Sequence, residues 1–388
     1  MNYETNFVNK ETSKNTFLLS FLFALLLIAQ SVDNGLRDNG YQGFSKIKYL
    51  VMGIVFIIFF VQYLCAKNTT KCLLFELKDV FYWYLSLIFI SLYWMIKNNI
   101  WNSAPFMEGF FRIMFPIIFA YLISNVINKE QIYKVFEYFL VISFFIFLID
   151  EIIAGHFNFS EIFTLSLANS TGSEMESNYF SPTAISLCLF FGYFGKRKWP
   201  LILSIICVLL TYKRLMFFYS ILILVVNFTF KNKRIKNWIK YVVGMLFFVL
   251  VVYFIQLNIG IKYSSFIYNW SDMNLNDFTM GRTWMFQNIY NAGLPKMGLF
   301  SITKTSFQNP EMDFPLMYLE MGYASIITTI FFLLRLSKKS FYNLLIVVFI
   351  LLEMLTSHWV DIIFFWLIIY ITIGYINEDN KNAFFRLN

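Results

Sequence analysis

Charge is scarce in this 388-residue chain. Only 14% of its residues are Asp, Glu, Lys or Arg and 59% are hydrophobic, whereas soluble globular domains carry about 25% charged residues. That excludes an ordinary water-soluble core. Cysteine is equally sparse: Cys65, Cys72, Cys188 and Cys207 form no CxxC and no metal-ligand spacing, which argues against a redox centre or a zinc site. No HxxxH, DxD or EF-type loop points to a metal, and neither a P-loop nor a dinucleotide-binding glycine pattern occurs. ATP-driven transport and nucleotide-sugar donors are therefore disfavoured, and no cofactor is expected. The net charge of +8 does not indicate nucleic acid, because the cations sit in short loops between apolar runs, a pattern of membrane topology. No period of 20–50 residues marks a repeat array.

What is present is apolar length. Runs that suit a bilayer fall at about 16–32, 47–66, 80–96, 106–125, 135–153, 178–195, 199–212, 215–230, 237–257, 313–334, 341–357 and 360–376. A span needs about 20 apolar residues, so the reading is an all-α polytopic membrane protein of about 12 transmembrane helices. The first run lacks a small-residue cleavage site and is read as an uncleaved helix. With alternating spans and a cytoplasmic N-terminus, the inner segments hold 19 of the 31 basic residues and the outer segments hold ten, spread over more chain. Both termini are then cytoplasmic. Residues 1–388 form a single membrane domain, with one long outer loop at about 258–312 between helices nine and ten.

Within this apolar chain, CVLLTYKRLMFFYS (207–220) places Lys213 and Arg214 between two hydrophobic runs. Two short helices turning there keep the basic clusters at 196–198 and 231–236 on one side, which a single long helix would not. A helix that begins at such a turn offers free N–H groups and its dipole to an anion, and arginine adds a fork that matches phosphate oxygens. The alternative is an ordinary outer turn with snorkelling cations. In the long loop, DFTMGRTWMF (277–286) predicts a capped helix whose first turn projects Arg282. An arginine there opposes the helix dipole, so it binds an anion or pairs with Asp272 or Asp277. Glu108 and Arg112 stand one turn apart inside the fourth span, a structural pair or a further phosphate contact. His156, in GHFNF, reads as an interfacial residue.

Four short stretches, ESNYFSPTAISL (176–187), LLTYKRLMFF (209–218), DFTMGRTWMF (277–286) and LMYLEMGYASII (316–327), in this order and at these depths, resemble the O-antigen ligase and polymerase (Wzy-type) family of bacterial surface-polysaccharide assembly. The first 130 residues match only in hydropathy. The resemblance implies a GT-C-type fold in a bacterial cell membrane, with the lipid bilayer as its surroundings. It implies glycosyl transfer at the outer face, with an undecaprenyl-pyrophosphate-linked glycan as donor and acceptor, and a flippase and chain-length regulator as working partners. Arg214 and Arg282 would correspond to the family's outer arginines that hold the diphosphate, with Lys213, Asn178 and Arg112 as further substrate-binding candidates.

A base for the acceptor hydroxyl is also needed. Ligases carry a His-Asn pair late in the long loop, where this chain has Phe307-Gln308-Asn309; that favours a polymerase. Glu176 and His358, the latter in TSHWVD with Asp361 three residues on, are the candidate bases, with capping or topology as the plainer role of each. A flippase of lipid-linked oligosaccharide and an O-antigen-type ligase stay as alternatives, the flippase weakened by unrelated halves and by the long loop.

Overall fold

The computed structural model describes residues 3–38, 44–65, 72–101, 103–155, 180–211, 213–229, 233–260, 268–269, 274–302 and 310–385. Among these the regular structure is helical, with one isolated β-bridge between Arg234 and Ser340. The helices are α1 (Tyr3–Asp38), α2 (Phe44–Cys65), α3 (Leu74–Lys97), α4 (Ser103–Val126), α5 (Lys129–Ala154), α6 (Phe180–Phe194), α7 (Lys198–Leu210) and α8 (Arg214–Thr229). They continue with α9 (Asn237–Gly260), α10 (Leu275–Phe278), α11 (Arg282–Asn291), α12 (Asp313–Met321), α13 (Tyr323–Leu336), α14 (Phe341–Thr356) and α15 (Ile363–Phe385).

Among the described residues five helical segments, Lys46–Cys65, Leu74–Lys97, Phe106–Val126, Lys129–Ala154 and Asn237–Gly260, are long and apolar enough to cross a membrane, and six shorter helical segments are also apolar. The solvent is legible in their surfaces. On α2 the exposed residues Ile47, Leu50, Ile54, Ile57, Val61 and Leu64 recur every three or four positions. A helix turns once per 3.6 residues, so these form one continuous apolar stripe facing outward, which water would not support and lipid does. The chain is thus an all-α, multi-pass membrane protein.

Two compact units divide the chain. The first comprises Met1–Leu74, Ile118–Lys231 and Phe364–Tyr375. Its α6 is buried from Phe180 to Tyr193, as a helix apolar on every face must be. Phe136 meets Phe190 edge to face at 4.8 Å, and Phe119 meets Phe59 at 5.7 Å. Asp33 of α1 and Lys48 of α2 form a buried ion pair at 2.5 Å. A capping box at Asn128 and Gln131 starts α5, and Gly155, at φ 75°, ends it.

The second unit comprises Phe75–Ile117, Asn232–Ile363 and Ile376–Asn388. Here the tenth apolar run departs from expectation: it is not one helix but two, α12 and α13, broken at Gly322 with φ 75° and ψ −172°. Only glycine occupies that region without strain. The backbone groups freed by the break find partners: Met321 O accepts from Trp94 Nε1 at 2.8 Å and Gly322 O from Ser325 Oγ at 2.7 Å. The Lys296 ammonium lies over the rings of Trp94 and Tyr318, 5.4 Å from each. A Cβ at position 322 would stand 3.3 Å from Lys296 Cε. Gly322→Ala is therefore expected to cost about 1–3 kcal/mol, read as a lower thermal midpoint of the detergent-solubilised protein. Gly53→Ala, in α2 with nothing within 4 Å of the new methyl, is expected to leave that midpoint unchanged or slightly raised.

Connections between helices meet within each unit. In the second, Phe341 N donates to Lys233 O and Arg234 Nη2 to Asn380 O, while at other positions Asp313 N donates to Ser357 O and Asn98 Nδ2 to Lys296 O. In the first, Cys72 N donates to Asn125 Oδ1. Each pair joins loops to which the alternation of apolar runs gives the same side.

Candidate functional site

In the second unit, α4, the start of α12 and the α14–α15 loop bring five charged side chains into one chain of contacts. Asp313, 1% exposed, is its anchor. It accepts from His358 Nδ1 at 2.6 Å and from the backbone N–H groups of Trp359 and Val360 at 2.8 and 3.0 Å. His358 Nε2 lies 3.5 Å from Asp361 Oδ1, Asp361 Oδ2 accepts from Arg112 Nη1, and Arg112 Nη2 donates to Glu108 Oε1 at 2.5 Å. The Glu108–Arg112 pair expected from its spacing and the His358–Asp361 pair of TSHWVD are thus parts of one cluster.

Burial opposes the charge on His358, but Asp313 and then Asp361 outweigh it and raise its pKa to about 9. The two carboxylates thus favour the protonated imidazole. A general base works best with a pKa near the working pH, so this environment favours a fixed positive charge or an acid at His358. Arg112, engaged by two carboxylates, is better suited to bracing the cluster than to taking a phosphate. Among the described residues no group of three His, Cys, Asp or Glu is arranged to hold a metal ion.

A second carboxylate organises the loop above it. Both oxygens of buried Glu320 accept backbone N–H groups, from Phe300 at 2.8 Å and Ile302 at 3.1 Å. The Phe300 ring stands edge-on to His358, centroids 6.1 Å apart, and fits against Gly109, where any Cβ would lie 2.1 Å from it. Sequence reasoning gave no role to Asp313 or Glu320. Their signal was there: two acids in MDFPLMYLEMG, inside a run read as membrane-spanning, where an ionisable residue is by default more than packing.

Arg282 begins α11 behind two left-handed residues, Met280 at φ 54° and Gly281 at φ 81°. The turn is tightly held. Thr279 Oγ1 and Thr283 Oγ1 share a hydrogen bond at 2.8 Å, Thr283 Oγ1 donates to Asn258 Oδ1 at 2.7 Å, and Gln287 Nε2 donates to Asn258 O. Thr279 Oγ1 and Asn276 Oδ1 accept from the N–H groups of Thr283 and Trp284, so these residues supply the cap. Among the described residues the Arg282 guanidinium makes one long contact, Nη2 to Glu311 Oε2 at 3.4 Å, and its buried Nε finds no acceptor.

The first unit holds the other arginine. The chain is divided into two helices, α7 and α8, where two short helices are expected, Thr211 capping α7 through Val208 O. Arg214 is the first residue of α8, exposed, with half-buried Lys213 before it. At 13 and 16 residues, and about 1.5 Å per residue, the two helices reach about 20 and 24 Å, short of a core about 30 Å thick. Glu176, Asn178, His156, Asp272 and Phe307-Gln308-Asn309 lie outside the described residues, as does the side chain of Asp277.

Comparison of the chain with known protein families, with curated proteins and with solved structures finds no match in any of the three. The functional reading therefore rests on the residues themselves.

Proposed function

We propose that this protein is a polysaccharide polymerase of the O-antigen ligase/polymerase type. It crosses the bacterial cell membrane twelve times in a GT-C-like fold with both termini in the cytoplasm, and joins undecaprenyl-pyrophosphate-linked repeat units at the outer face. An acceptor hydroxyl oxygen bonds to the donor's anomeric carbon as the bond from that carbon to the diphosphate oxygen breaks, and the hydroxyl proton passes to a base. A diphosphate leaves carrying its own charge, so cations, not a strong acid, stabilise the transition state.

The observation that carries this reading is Arg282. A turn held by hydrogen bonds presents a guanidinium for which one 3.4 Å contact is found among the described residues, an arrangement that suits an anion-binding arginine. Arg214, at a helix start inside an apolar stretch, is given the same role by the resemblance. The meeting of loops that share a side supports the alternation of crossings. Glu176 and His358 are the candidate bases, and the carboxylates beside His358 favour its protonated form.

A flippase is the second reading. The break of α12 and α13 at Gly322 favours it, because interrupted helices mark many transport sites. Deletion of the gene, with surface and lipid-linked glycans separated on a gel, decides. Single repeat units outside the cell, with long chains restored by the wild-type gene, are expected. Repeat units confined to the cytoplasmic side would mean a flippase, and full-length chains left on their lipid carrier a ligase.

A further inference from the structure

Away from these charged groups, the second unit contains a cavity of about 760 Å³ where α9 begins, α13 ends and α15 passes. Six Lys and Arg side chains, among them Arg234, Lys240, Lys339 and Lys381, line it against two carboxylates. One of these, Asp79, is 1% exposed and is already paired with Lys338 at 2.7 Å and Arg335 at 3.1 Å. Arg234, Lys240, Lys339 and Lys381 line the same wall, and Glu76 is the other lining carboxylate. Like charges crowded into a concave wall raise the local potential and draw in an anion.

Topology alone explains cations at this end of the helices, but it calls for neither a cavity nor what adjoins it. A second cavity, of about 320 Å³, shares Lys240, Tyr241, Phe331 and Arg335 with the first and runs on between α9 and α13 past Gly244, Ile327 and Leu334. It is an apolar groove open to the surroundings: Tyr241 is 67% and Ile327 51% exposed. Cationic chamber and apolar groove together have the shape and polarity of one amphiphile.

We infer that this is a binding site for an anionic phospholipid, its headgroup phosphate in the basic chamber and an acyl chain along the groove. A soluble phosphate has no use for the groove, and a zwitterionic headgroup brings a cation into a chamber already rich in them. The site is independent of the polymerase reading. On the orientation proposed above it takes its lipid from the cytoplasmic leaflet.

The test is native mass spectrometry of the full-length protein in neutral detergent, with phosphatidylglycerol and phosphatidylcholine of the same acyl chains as probes. Wild type is expected to retain phosphatidylglycerol about tenfold better, and an excess of inorganic phosphate should not displace it. The Lys240→Glu, Lys339→Glu double variant is expected to lose the preference. Ile327→Trp, which fills the groove and leaves every charge in place, should lose retained lipid too. Arg197→Glu with Lys198→Glu, an equal charge change on exposed residues at the start of α7 in the first unit, should retain it like wild type. Equal retention of both lipids, displacement by phosphate, or equal loss in the Arg197/Lys198 pair would each overturn the site.

Discussion

Arg282→Ala is expected to remove the long-chain ladder and leave single lipid-linked repeat units to accumulate, a fall in transfer of about 10²–10³-fold. The measurement is the chain-length distribution in a deletion strain carrying the variant at wild-type abundance. The fold does not lean on this side chain. Its contact with Glu311, a residue 55% exposed at 3.4 Å, is of the kind that contributes about 0–1 kcal/mol. Loss of product with normal abundance and an unchanged thermal midpoint would therefore report on chemistry. Arg282→Lys keeps the charge but not the fork and should recover part of the ladder. Glu311→Ala removes the guanidinium's one described partner and should leave activity intact or raised. Long chains made normally by Arg282→Ala would remove the basis of the proposed function.

Asp313→Ala is expected to destabilise the protein by about 3–5 kcal/mol, because it leaves a buried cation and two backbone N–H groups without their acceptor. The same cluster sets a pH dependence. His358 has a folded pKa of about 9 against its ordinary 6.5, raised because Asp313 and Asp361 outweigh burial. A pKa raised by folding means that the native state holds the proton more tightly than the unfolded chain. The stabilisation is thus complete below about pH 6.5 and is lost as pH rises through about 9. Thermal midpoints of the solubilised protein should fall across that window in wild type and stay flat in His358→Gln. A midpoint in wild type that is level from pH 6 to 9.5 would mean that His358 is not the cation the geometry makes it.

Much of the architecture was readable from the chain. Among the described residues each long apolar helix overlaps a run that hydropathy picks out, because burying backbone polar groups in lipid leaves helices as the only open-chain solution, and the basic segments at 196–198 and 231–236 pointed to two short helices, which α7 and α8 are. The exception is instructive. MDFPLMYLEMGYASII reads as one continuous run, since hydropathy sums side chains and is blind to a single glycine at φ 75°. The division into two interleaved units left no mark for the same reason: it is written in which faces touch, not in how apolar they are.

The site was legible only in fragments. Spacing paired Glu108 with Arg112, since residues four apart on one helix face meet, and it placed Asp361 three residues after His358. Composition and pattern by themselves determined the solvent, the helical class and the isolated cations, because the cost of a charge in lipid confines it to few positions. Only the tertiary structure decided that Glu108–Arg112 and His358–Asp361 belong to one cluster, that Asp313 anchors it from 45 residues before His358, and that Arg282 Nε finds no acceptor among the described residues. Such facts depend on long-range packing, which places side chains by the geometry of whole helices rather than by their order along the chain.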